Sequence, residues 1–182
     1  MKKILYLALG LQFSVSLLQA HSGAFKPKFV NTLVDPYLSI QKGLATDDLA
    51  ASQAGAVTFL KAMKHAPHEG GAHKEAMDLI KPAKAISETM DIKAARAAFL
   101  DLSRQMVLLV EHVGTRKDTP LYTAFCPMAF NNKGGQWVQS ERTVSNPYYG
   151  SKMLRCGRIK KKIASSEDHS GHSNLSGHGE MP

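Results

Sequence analysis

The chain has 182 residues, of which 43% are hydrophobic and 21% charged, with a formal net charge of +8. That length suits one domain with its own core. The positive charge is too dispersed to form a nucleic-acid footprint, and the one dense basic run (Arg155, Arg158, Lys160, Lys161 and Lys162) reads as a solvated chain end.

Residues 1–20 read as a secretory signal peptide. Lys2 and Lys3 precede a mostly apolar stretch from Ile4 to Leu18, and Ala20 is a small residue at the cleavage position. The stretch is too short and interrupted for a comfortable membrane span, and no later segment approaches spanning length. Removing two lysines and no acids with the leader lowers the formal charge from +8 to +6. A soluble, exported and most simply periplasmic product is expected, which argues further against a nucleic-acid partner. If cleavage follows Ala20, the chain would begin at His21, whose amine and imidazole together could chelate Cu(II).

A first helix is expected over residues 28–44. Phe29, Leu33, Tyr37, Ile40 and Leu44 recur on one helical face, with Pro36 as a kink or a shifted start. Thr46-Asp47-Asp48 is an N-cap cluster for a second helix reaching about Lys64, with Leu49, Ala56, Phe59, Leu60 and Met63 inward. Pro67 and the paired glycines Gly70-Gly71 then mark a loop that holds His65, His68 and His73. A third helix over residues 73–89 would place Met77, Ile80, Ile86 and Met90 inward, with Pro82 interrupting it. The fourth is the clearest. Asp91 caps it, Gly114 stops it, and Ile92, Ala95, Phe99, Leu102, Met106, Leu109 and Val113 form an unbroken seam suited to bundle packing. His112 lies off that seam, near the helix end.

After Gly114 the composition turns aromatic and β-branched. Leu121 to Phe125 and Gln136-Trp137-Val138 read as short strands or ordered loops on the end of the bundle, with the turn signal Asn132-Lys133-Gly134-Gly135 between them. Asn146-Pro147 with Gly150 marks another tight turn. From Lys160 the chain loses apolar residues and gains serine, glycine and the histidines His169, His172 and His178, the composition of a disordered tail whose histidines read either as metal ligands or as part of a merely solvated chain end. The expected architecture is mainly α: an up-and-down bundle of about four helices over residues 21–159 with an irregular, partly β, cysteine-containing cap, then a loose tail over 160–182.

Cys126-Pro127-Met128 and Met153-Leu154-Arg155-Cys156 hold the only two cysteines, and the only tryptophan, Trp137, lies between them. Two readings stand. In the first, Cys126, Met128, Met153 and Cys156 form a soft sulfur site of the kind that selects Cu(I). Trp137, Tyr148 and Tyr149 would then limit water, and His21, His65, His68, His73, His112, His169, His172 and His178 would be auxiliary ligands. In the second, Cys126 and Cys156 form a disulfide, which an exported protein permits. Closing that loop would stabilise the fold by about 3–4 kcal/mol in the chain-entropy model. An enzyme is not expected: no Cys-x-x-Cys motif, phosphate loop or zinc-protease helix is present, and no histidine spacing argues for a catalytic pair.

Cys126-Pro127-Met128, then Trp137, then Asn146-Pro147-Tyr148-Tyr149-Gly150 with Met153 and Cys156-Gly157 resemble an uncharacterised periplasmic domain family. Tyr37, Asp47-Asp48, Phe99 and Leu102-Ser103 extend the resemblance over roughly residues 29–159. That family occurs alone or fused to membrane-fusion adaptors of copper/silver-type heavy-metal efflux systems. The resemblance implies exported metal handling with an efflux adaptor or other periplasmic partner, by association alone. The histidine-rich loop and tail depart from the family pattern.

Overall fold

The computed structural model describes residues 25–67, 71–115 and 119–163. Four long helices come first: α1 (Pro27–Ala45), α2 (Leu49–Met63), α3 (Ala72–Glu88) and α4 (Ile92–His112). Consecutive helices pack as neighbours, and α1 also touches α4, which closes the bundle. Proline stands at the start of α1, where its missing N–H costs nothing. Asp48 caps α2 through Ala51 N at 2.8 Å, and Asp91 caps α4 through Lys93 N at 2.9 Å. Pro36 and Pro82 lie inside α1 and α3 without ending either helix.

The seams of α1 and α4 follow their sequence periodicity, and Leu33, Tyr37, Ile40, Leu44, Phe99, Leu102 and Met106 are fully buried. The seam of α3 differs from expectation. Ala72, Ala76, Leu79, Ala83 and Ile86 face inward, whereas Met77 is 44% exposed and Met90, beyond the helix end, is 89% exposed. Ile86 is buried and Ile80 half-buried as expected, but the rest of the inward stripe is made by small alanines and Leu79 rather than by Met77 and Met90.

Beyond α4 the chain forms a three-stranded antiparallel sheet in the order β2-β1-β3, from β1 (Leu121–Cys126), β2 (Gly135–Gln139) and β3 (Arg158–Ile163). β2 packs on α4. The basic run lies within or just before β3, an edge strand whose lysines discourage pairing with another chain. The strand carries the fold to Ile163, past the boundary expected after Ile159. The described residues contain no helix long and apolar enough to cross a membrane. The expected leader (residues 1–20) and all but the first four residues of the expected tail (160–182) lie outside them.

A chain of rings joins bundle to cap. Tyr37 stacks on Phe99 with centroids 5.2 Å apart, Phe99 meets Tyr148 at 6.1 Å, and Trp137 meets Tyr148 edge-on at 5.6 Å. The Tyr37 hydroxyl lies 2.7 Å from Ser103 Oγ and accepts from Val138 N at 3.0 Å, so one group ties α1, α4 and β2. Burial pushes the Tyr37 phenol far above its ordinary pKa, so it stays protonated. Tyr37→Phe is expected to leave the Val138 N–H buried without its acceptor, at a cost of about 1–3 kcal/mol. Urea unfolding with an unchanged m-value would measure it.

Candidate functional site

Cys126 is the last residue of β1, opposite Gly135 of β2. Cys156 lies two residues before β3, which pairs with the other edge of β1. Adjacent strands therefore bring the two cysteines together across 30 residues of sequence. Their sulfurs stand 3.1 Å apart as free thiols, Cys126 buried and Cys156 half-buried. Met128, 46% exposed, places its thioether sulfur 4.0 Å from Cys156 Sγ. Met153 closes the 3-10 turn Gly150–Met153, and its carbonyl accepts the Cys156 N–H at 2.9 Å. The hydrogen bond to Cys126, and then burial, raise the Cys156 thiol pKa.

The Asn146-Pro147-Tyr148-Tyr149-Gly150 turn holds this arrangement. The buried Asn146 side chain accepts from the backbone N–H of Tyr148 at 2.8 Å and of Tyr149 at 3.2 Å. Its amide donates to the Cys156 carbonyl at 2.7 Å. The Tyr149 hydroxyl donates to the Met128 carbonyl at 2.7 Å, and the Tyr148 hydroxyl donates to the Gln136 carbonyl. Burial raises the Tyr148 pKa well above the ordinary phenol value. Gly157, at φ +129, passes so close to β1 that a Cβ would lie 2.8 Å from the Phe125 carbonyl and 3.2 Å from the Trp137 ring. Asparagine, tyrosines and glycine in this segment thus set the position of Cys156 relative to Cys126 and Met128.

A polar clamp fixes the turn to the bundle. Asp47, itself at φ 60, accepts from the Arg96 guanidinium, from Ser151 N at 3.0 Å and from the Ser151 hydroxyl. Arg96 also donates to the carbonyls of Leu44 and Pro147, both at 2.9 Å. Gly150 at φ +61 leaves room for the clamp, because a Cβ would lie 2.0 Å from Asp47 Oδ1.

The Ser151 hydroxyl, and then Arg96, hold the Asp47 carboxyl below its ordinary pKa. A depressed carboxyl pKa adds stability that is present above the unfolded value, near pH ~3.9, and is lost as pH falls through the folded value. The stability gap between the native chain and Asp47→Asn should therefore narrow below about pH 4, as thermal unfolding across a pH series would record.

Trp137 and Tyr148 are buried core residues, and only Tyr149 of the expected shell is half-exposed. Of the candidate histidines, His65 follows α2, His73 opens α3, and His112 ends α4 with Nδ1 3.0 Å from the Leu108 carbonyl; all three are exposed. His21, His68, His169, His172 and His178 lie outside the described residues. Among the described residues no group of three or more histidine, cysteine, aspartate or glutamate side chains is placed to hold a metal ion. The donors that do converge are sulfurs, with Met128 as the third. Sequence reasoning missed the Asp47–Arg96–Ser151 clamp as a partner of the cysteine segment, although Asp47 and Gly150 both stood out in the sequence.

No curated protein and no solved structure matches the chain. The region from α1 to the approach to β1, which ends before either cysteine, does match a family: residues 33–118 fit the model described as a protein of unknown function (DUF3347).

Proposed function

We propose that this chain is an exported binding protein for Cu(I) or a related thiophilic ion, serving periplasmic metal homeostasis or efflux. The supporting observation is that Cys156 Sγ lies 3.1 Å from Cys126 Sγ and 4.0 Å from Met128 Sδ. Two thiolates and a thioether form a soft donor set, and a thioether binds without losing a proton. Two thiolates each about 2.3 Å from one metal would stand about 4 Å apart in the trigonal geometry of a three-donor set. Cys156, half-buried and followed by Gly157, need open by less than about 1 Å to reach that spacing. Met153 is the reserve donor, three residues from Cys156. An efflux adaptor or another periplasmic protein would receive the ion by ligand exchange.

The 3.1 Å contact also favours a second reading, in which the thiols oxidise to a disulfide that staples the cap and leaves a structural or interaction domain. Native mass spectrometry of the chain taken from the periplasm without reductant separates the two. A mass with both thiol hydrogens replaced by one copper supports the metal reading. A mass two hydrogens low, with no metal, overturns it in favour of the disulfide.

A further inference from the structure

We propose that the groove between α4 and the cap binds a small organic anion with a flat apolar body, of the aromatic carboxylate class. The groove, open along one side, offers about 450 Å³ and is lined by Lys93, Arg96, Phe130, Tyr148, Tyr149 and Lys152. That volume and the mix of aromatic wall with a few charged groups are those of small-molecule sites. No sulfur ligand lines it, so it stands apart from the metal reading.

The charge is one-sided. Arg96 is committed to Asp47 and to two backbone carbonyls. Lys93 and Lys152 are both exposed, and among the described residues neither has a carboxylate within ion-pair distance. Two cationic groups thus remain uncompensated at the rim of an aromatic surface, which suits a single carboxylate.

The aromatic wall is fixed before any ligand arrives. Tyr148 is held edge-on by Trp137 at 5.6 Å and by Phe130 at 5.2 Å. Tyr149 is tethered through its hydroxyl to the Met128 carbonyl. Phe130 sits at φ 53, a left-handed conformation that is costly for a bulky residue, and this backbone turns its ring onto Tyr148. Rings already in place cost little ordering entropy on binding. An inorganic anion would use the lysines and ignore the rings. A neutral aromatic would do the reverse.

Benzoate titrated into the full chain, reduced and metal-free, tests this by backbone amide NMR. Saturable shifts are expected at Lys93, Phe130, Tyr149 and Lys152. Inorganic phosphate and benzyl alcohol should each bind at least about tenfold more weakly. Lys93→Met with Lys152→Met should weaken benzoate at least about tenfold while amide positions away from the groove stay put. Should the double variant lose its native spectrum, the single exchange Lys152→Glu carries the same test. No saturation up to about 50 mM benzoate, phosphate binding as tightly as benzoate, or unchanged affinity in the lysine variants would overturn the assignment.

Discussion

Cys126→Ser is expected to abolish retention of Cu(I) while leaving the far-ultraviolet helical signal unchanged. Cys126 is fully buried in the same apolar cluster as the helices, but the exchange of one atom at the end of β1 nearly conserves volume and should leave the helices formed. The donor set, by contrast, loses a buried thiolate and gains a hydroxyl, a hard oxygen that stays protonated at neutral pH. Outer-shell substitutions alone lower metal affinity by about 10–100-fold, so loss of a direct ligand should exceed about 100-fold. Competition against a colourless-to-coloured Cu(I) chelator measures it. Unchanged affinity would remove the sulfur pair from the metal assignment. A parallel melt with and without reductant tests the alternative, since a disulfide across this loop would lose about 3–4 kcal/mol on reduction.

Asn146→Ala should produce the largest loss of stability among polar substitutions in the cap, about 2–4 kcal/mol. It removes an acceptor for two backbone N–H groups and a donor to the Cys156 carbonyl, all at a fully buried position. Cys156 would lose the bond that fixes its carbonyl, so the Cys126–Cys156 spacing should loosen as well. Asn146→Asp keeps the acceptor and loses the donor, and should fall between the two. Chemical unfolding gives the stability, and the rate of thiol alkylation reports the release of Cys156.

The four helices and the seams of α1 and α4 were legible because periodicity and caps act locally, within a turn or two of chain. Met77 and Met90 were not, because burial on α3 depends on how closely neighbours approach, and alanine at 76 and 83 permits that approach. The cap was legible as strands and turns but not as a sheet, since β3 looks from composition like the start of a polar tail. Its lysines suit an edge strand, a role that exists only once β1 lies beside it.

The candidate site divides along the same line. Sequence alone determined the inventory: two cysteines, nearby methionines and a turn-forming asparagine segment, because residue type limits the chemistry available. Tertiary structure alone decided that the Met128 thioether lies 4.0 Å from Cys156 Sγ, that His65, His73 and His112 remain exposed on the helical part, and that Asp47 reaches across from the α1–α2 turn to hold Ser151. Such pairings depend on loop closure between residues separated by up to 104 positions, and no local propensity encodes a contact whose partner is set by packing elsewhere.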